Sequence, residues 1–201
     1  MITLVYDTET TGLPPKGASK LSERPYVIQL ATVLYNETSP IGHFSTFLRP
    51  GHGDHEVEIP KAKFWQDNGL TVERMSPTWM ELALGLKIFN NFLRKADRVV
   101  AHNARFDHGC VTDSFRRVLA GKVSEEWSSL PHYCTMLTLE PVMKLPSKWG
   151  KGYKWPNLDE AYRAYVDPKG FSGAHDAMID VNACAEVLFA IEALSIPLAR
   201  I

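Results

Sequence analysis

The sequence predicts an α/β fold, and two observations carry that prediction. Three β-prone runs follow one another closely at the start of the chain, at 2–6, 26–35 and 43–48, with turn residues between them. Later in the chain, short apolar strands are each followed by apolar residues at helical spacing. Consecutive strands joined by short turns make an antiparallel meander, and strand–helix units add helices to the faces of the sheet.

Each element has a local reason. Ile2 to Tyr6 is apolar and β-prone and reads as a buried strand. A loop rich in Pro, Gly and Ser runs from Gly12 to about Pro25. Tyr26–Tyr35 is a second strand, 36–40 is turn chemistry, and His43–Leu48 alternates as a third. Ser76-Pro77 is a helix start signal, and Trp79, Leu82, Ala83, Leu86, Phe89 and Leu93 recur behind it as a core-facing stripe. Arg98–Ala101 is a short strand. Asn103 stands where it can cap the next helix, whose apolar positions include Phe106, Cys110, Phe115, Val118 and Leu119. Pro131–Cys134 reads as a strand leading into a helical stretch that reaches Met143. Leu158–Tyr165 is a short helix. The last helix starts near Asp176, carries Val181, Cys184, Leu188, Ile191 and Leu194 on one face, and is ended by Pro197.

Composition narrows the class. A chain of 201 residues without internal repeats or low-complexity tracts suggests one domain over residues 1–201. Its 45% hydrophobic and 22% charged residues suit a soluble globular protein. No apolar run approaches the ~18 residues that span a membrane, and the N-terminus shows no secretory signal. Cys110, Cys134 and Cys184 lie far apart, which fits buried reduced thiols in the cytoplasm and no structural zinc site. A net charge of −1 excludes a broad electrostatic grip on duplex nucleic acid, so a bound cation or a local patch must attract any phosphate substrate.

Three acidic motifs bear on chemistry. Asp7 and Glu9 close the first strand two residues apart, and on extended chain both face one spot. Two anions so placed either hold a hard divalent cation or are solvated at a strand end. Asp107 lies in the first turn of the helix after 98–101, as a ligand or as an electrostatic cap. His175 and Asp180 are about 140° apart around a helix, but Gly173 leaves His175 in the loop, free to turn back toward Asp180. Two other stretches have weaker claims. His52, Asp54 and His55 form a conceivable metal site in a polar loop that is more simply solvated. Between Leu145 and Pro156, Lys148, Lys151 and Lys154 interleave with Trp149, Tyr153 and Trp155. That pattern suits a single-strand platform, or aromatics tucked onto the core.

Taken together, Asp7-Thr8-Glu9-Thr10-Thr11-Gly12, His102-Asn103-Ala104-Arg105-Phe106-Asp107 and His175-Asp176-Ala177-Met178-Ile179-Asp180 resemble the three motifs of the DEDD superfamily of 3′→5′ exonucleases, in its histidine-containing, DnaQ-like (DEDDh) branch. The order matches over nearly the whole chain, and Gly152–Leu158 looks most like short phage and bacterial members. Cys134-Thr135 departs from the Asp-Thr of many relatives.

The resemblance implies an RNase H-like fold with a mixed sheet of about five strands and helices on both faces. It implies a hydrolase that releases nucleoside 5′-monophosphates from single-stranded 3′ ends, DNA favoured, with two Mg²⁺ or Mn²⁺ ions. Asp7 would bridge the ions, Glu9 and Asp180 would hold the one that binds the attacking water, and Asp107 would support the other. His175 would be the general base. The backbone at Thr10, Thr11 and Gly12 would hold the terminal nucleotide, Leu13 and Phe106 would pack on its base, and Asn103 would touch sugar or phosphate. Single-stranded DNA or RNA ends are the implied partners, with a polymerase as a possible one, in proofreading or repair. The alternatives are an RNA-trimming enzyme of RNase T or oligoribonuclease type, or a non-catalytic nucleic-acid-binding module of the same fold.

Overall fold

The computed structural model describes residues 1–52, 55, 56, 58–148 and 150–201, without the side chains of His52, His55 and Glu56. Asp54, Trp149 and the side chains of His52 and His55, all weighed above, therefore lie outside the described residues. In chain order the elements are β1 (Ile2–Thr10), a 3₁₀ turn (Leu21–Glu23), β2 (Val27–Asn36), β3 (Ser39–Phe47), β4 (Gly51–His52), β5 (His55–Glu56), α1 (Lys63–Asp67), α2 (Val72–Met75), α3 (Leu82–Leu93), β6 (Arg98–Ala101), α4 (Ala104–Val118), α5 (Glu125–Ser129), β7 (His132–Cys134), α6 (Thr135–Met143), α7 (Leu158–Tyr165), α8 (Ala177–Ala193) and β8 (Ala199–Arg200).

The meander forms as expected. β1 pairs antiparallel with β2, and β2 with β3. β6 joins β1 in parallel, with Leu4 opposite Val99, and β7 joins β6 in parallel. The main sheet has six strands in the order β3-β2-β1-β6-β7-β8, not five. The sixth is Ala199–Arg200, antiparallel to β7 and beyond Pro197. Two residues cannot show an alternating pattern, so nothing in the sequence marks them as strand.

Alternation along β1 sorts its side chains to two faces. Leu4 and Tyr6 enter a core built with α3, α4 and α5, centred on Phe89 and Trp127. Tyr6 meets Trp127 edge to face, with ring centroids 5.5 Å apart. Fully burying an aromatic of this size contributes about 1.5–3 kcal/mol. Val5 faces the other way, onto Ala177, Val181, Cys184 and Leu188 of α8. Helices thus cover both faces.

Several boundaries differ from the sequence reading. The helix expected from Ser76-Pro77 starts at Leu82, because Met80 first forms a parallel bridge to Leu48 and its N–H donates to the carbonyl of Phe47. Trp79 consequently packs on the small core of Ile28, Ile59, Leu70 and Met75 instead of joining the stripe. Leu194 caps α8 and is exposed, so the helix ends before Pro197. Asn103 occupies the N-cap of α4 in a left-handed conformation (φ 55°), and its side chain makes no capping bond. Instead, Cys134 Sγ accepts from the N–H groups of Ala104 and Leu137, at 3.4 and 3.5 Å, at the starts of α4 and α6. Those groups have no partner within their own helices, which explains a polar acceptor at position 134. No helix among the described residues is long and apolar enough to cross a membrane.

Candidate active site

The end of β1 is where the acids meet. Asp7 and Glu9 share the parity of Val5 and so lie on the α8 side, where the first turn of α8 carries Asp180. Thr8 has the opposite parity. Its hydroxyl donates to Asp107 Oδ1 at 2.6 Å and its N–H reaches the same oxygen at 3.2 Å, which binds the first turn of α4 to the strand. Gln29, opposite Glu9 on β2, accepts the N–H of Ala177 and holds the start of α8 against the sheet. Asp176 caps α8 by accepting from Met178 N–H and pairs with Arg74 of α2 at 3.6 Å.

His175 has turned back as expected. Gly173 and His175 both have positive φ, 84° and 69°, and this tight reversal brings the His175 N–H to Asp180 Oδ2 at 3.0 Å. One ligand-type atom each from Glu9, His175 and Asp180 lie within 4.8 Å of one another. The His175 ring is exposed and meets Phe64 edge-on, centroids 4.9 Å apart.

The electrostatics are those of an anion cluster lacking counter-charge. Burial pushes the Asp7 carboxyl well above the usual range, and Asp107, Asp180 and Glu9 push it further. Burial and the neighbouring acids Asp180 and Asp107 raise Glu9 to about 8. Asp107 is raised to about 7 by burial, against the lowering effect of its bonds from Thr8. Asp180 is raised by burial too. Asp180 Oδ1 is buried without a hydrogen-bond partner. A buried orphan oxygen facing other carboxylates fits an oxygen-ligated divalent cation, and the donor set of Asp7, Glu9, Asp107 and Asp180 is the hard type that Mg²⁺ and Mn²⁺ take.

Beside the acids lies a pocket of about 360 Å³, lined by Thr8, Glu9, Thr10, Gly12, Leu13, Phe64, Trp65 and Phe106. It gathers Thr10, Gly12, Leu13 and Phe106 from the expected substrate set but neither Thr11 nor Asn103. Thr11 N–H donates to the carbonyl of Tyr26 at 2.9 Å, and its hydroxyl accepts from Tyr26 N–H at 3.0 Å. Gly12 N–H donates to Thr10 Oγ1 at 3.3 Å. The N–H groups at 11 and 12 are thus already used in holding the turn. Asn103 is exposed at the start of α4 and does not line the pocket.

Sequence reasoning missed the pocket's aromatic wall. Phe64 and Trp65 sit on α1, whose five residues are too few to show a helical stripe. Trp65 Nε1 donates to the Thr10 carbonyl at 3.0 Å and fixes that wall to the end of β1. Thr8 was also missed, although its parity between two acids pointed to the opposite face. His102 of the second motif is pushed down to about 4 by burial and is therefore neutral. Its Nε2–H donates to the Pro156 carbonyl at 3.0 Å, and Nδ1 accepts from the Thr135 hydroxyl at 2.9 Å.

The family model for RNase T, described as exonuclease, matches residues 4–188 and so spans all three motifs. The chain belongs to this exonuclease family. Its exonuclease fold is also that of solved structures. Against Escherichia coli exonuclease I in complex with a dT13 oligonucleotide the TM-score is 0.72 at 17% identity, over 95% of this chain and 41% of that one. Against the zinc-bound form of the same enzyme's single-stranded DNA complex it is 0.70 at 18% identity, over 96% and 40%. Against a moderately thermophilic exonuclease I from Methylocaldum szegediense it is 0.65 at 19% identity, over 96% and 40%. The chain thus spans about 40% of the length of those proteins. No curated protein matches the sequence.

Proposed function

We propose that this chain is a divalent-metal-dependent 3′→5′ exonuclease domain acting on single-stranded ends, DNA favoured, and releasing nucleoside 5′-monophosphates. The observation that carries the reading is the convergence of Glu9, Asp180 and His175 within 4.8 Å beside an apolar pocket sized for one nucleotide. The preference for DNA draws on oligodeoxynucleotide complexes of structurally similar proteins. A non-catalytic binding module has no need of a buried acid cluster with an orphan oxygen. Three buried free cysteines are consistent with work in the cytoplasm.

Two Mg²⁺ or Mn²⁺ ions held by Asp7, Glu9, Asp107 and Asp180 would supply an activated water and neutralise charge at the scissile phosphate. The protein's own groups do the rest. His175 accepts the proton of the attacking water at its ring nitrogen and, being exposed, passes it to solvent. Leu13, Phe106, Phe64 and Trp65 take the terminal base, which places the last phosphodiester beside the acids. Thr8 keeps Asp107 oriented. Thr10, Thr11 and Gly12 shape the turn under the nucleotide, and Asn103, exposed at the start of α4, contacts its sugar or phosphate.

The test is hydrolysis of end-labelled single-stranded DNA and RNA of equal sequence, with Mg²⁺ or EDTA, alongside a circular single strand. The reading expects mononucleotides from the 3′ end of linear DNA, slower loss of RNA, intact circles, and no reaction in EDTA. Cutting of circles at a comparable rate would make the protein an endonuclease. Faster loss of RNA would make it an RNA-trimming enzyme.

A further inference from the structure

We propose that Lys148, Lys151, Tyr153 and Trp155 form a second nucleic-acid site, a stacking platform for the single strand upstream of the 3′-terminal nucleotide. The proposal rests on the exonuclease reading and assigns a distinct surface to its substrate.

The residues that flank this surface are tied together. Pro146 and Tyr153 make an antiparallel bridge, and Lys154 N–H donates to the Leu145 carbonyl at 2.9 Å. Tyr153 is 46% exposed and Trp155 56%. Among the described residues the other strongly exposed aromatic is Phe64, which lines the terminal pocket. The expectation that these aromatics tuck onto the core therefore fails for both Tyr153 and Trp155. Trp155 is nonetheless held, because its Nε1–H donates to Glu140 Oε2 at 3.0 Å. An aromatic fixed at its edge and open on its face loses little freedom when a base stacks on it.

Charge favours the same occupant. Lys148 and Lys151 are exposed and form no ion pair among the described residues, whereas Lys154 is engaged by Glu160. Free ammonium groups interleaved with open aromatic faces match the alternation of phosphate and base along a single strand. A protein partner's apolar patch would gain nothing from the lysines. On a chain of net charge −1, such a local patch is where a polyanion can be attracted.

Position links the platform to the site. The Pro156 carbonyl, next to Trp155, accepts from His102, which is anchored in turn to Thr135. His102 follows β6 and directly precedes Asn103 and α4, the helix that carries Asp107. The platform is thus tied through His102 to the chain that enters α4, the helix carrying Asp107.

The experiment compares a dinucleotide, dT2, with dT12 under Mg²⁺, using the double variant Tyr153→Ala/Trp155→Ala, the double variant Lys148→Ala/Lys151→Ala, and Trp155→Phe. The aromatic double variant should raise KM for dT12 by on the order of 10-fold or more, with kcat kept and both constants for dT2 unchanged. The lysine double variant should raise KM for dT12 less, with a shallower salt dependence. Trp155→Phe keeps the ring face and should stay within about threefold of wild type. Equal changes for dT2 and dT12, or no change for dT12, would overturn the platform and leave the surface to another partner. If wild-type protein hydrolyses neither substrate, the exonuclease reading fails separately. The platform is then judged on the Kd for labelled dT12 in EDTA, where the aromatic variant must still bind at least several-fold more weakly.

Discussion

Asp107 and Asp180 occupy equivalent places on opposite faces of the sheet. Each lies in the first turn of a long helix that abuts the end of β1, and each is buried. The protein finishes one and leaves the other incomplete. Asp107 Oδ1 takes both the hydroxyl and the N–H of Thr8. Asp180 Oδ2 takes one backbone N–H, from a residue in a left-handed turn, and Oδ1 takes none. An acid with two donors is oriented without a cation. An acid with a buried bare oxygen is stable only if protonated or ligated. The α4 side of the site is therefore preformed, and the α8 side, with Glu9 and His175, is dependent on a proton or a cation at Asp180 Oδ1.

The largest effect should come from the dependent side. Asp180→Asn and Asp7→Asn should each lower kcat by on the order of 10³ or more, and the double variant should be scarcely worse than either, because the acids act as a unit. Both single variants should melt no lower than wild type in EDTA, since each removes a buried, repelled carboxylate. Nearly wild-type turnover in Asp180→Asn would show that the orphan oxygen has no ligand role.

His175→Ala should lower kcat by about 10²–10⁴, as for a lost general base, with Mn²⁺ affinity kept within a few-fold because the carboxylates remain. Comparable loss of Mn²⁺ affinity would make His175 a ligand instead. Thr8→Val tests the preformed side. It keeps the shape and the N–H donor but removes the hydroxyl from Asp107, and should cost about 10–100-fold in activity, the range for a partner that orients a ligand. An effect as large as that of Asp180→Asn would erase the contrast between the two sides.

A smaller, graded effect belongs to the metal-free protein. Glu9 titrates near 8 in the fold against 4.5 unperturbed, and Asp107 near 7 against 3.8. Between these values the unfolded chain has released protons that the folded chain still holds, so stability falls as pH rises. In EDTA the Tm should decline as pH rises from about 5 to 8. Saturating Mn²⁺ should raise Tm most at the alkaline end. A metal-free Tm that climbs over this window would mean the acids are not buried against one another.

Much of this was legible in the sequence, for identifiable reasons. The meander and the parallel strand at 98–101 follow from long or wholly apolar runs, where period and burial leave little choice. The approach of His175 to Asp180 followed from Gly173, because glycine marks a chain reversal. What was not legible lies in pieces too short to carry a period. β8 is two residues and α1 is five, so the sixth strand and the wall of Phe64 and Trp65 left no pattern. The helix start at Ser76-Pro77 was wrong because a tertiary bridge from Met80 to Leu48 outweighed a local signal. Asn103 is the same lesson at a cap, where Cys134, thirty residues from Ala104, supplies the acceptor for its N–H.

The most direct measurement is a calorimetric titration of Mn²⁺ into the metal-free protein at pH 7, repeated in two buffers of different ionisation enthalpy. Acids held near 7 and 8 are partly protonated at that pH, and cation binding must displace their protons. Saturable binding with net proton release is the predicted result, with binding strongly weakened in Asp180→Asn. Absence of saturable binding, or binding with no buffer dependence, would contradict an acid cluster built around a divalent cation.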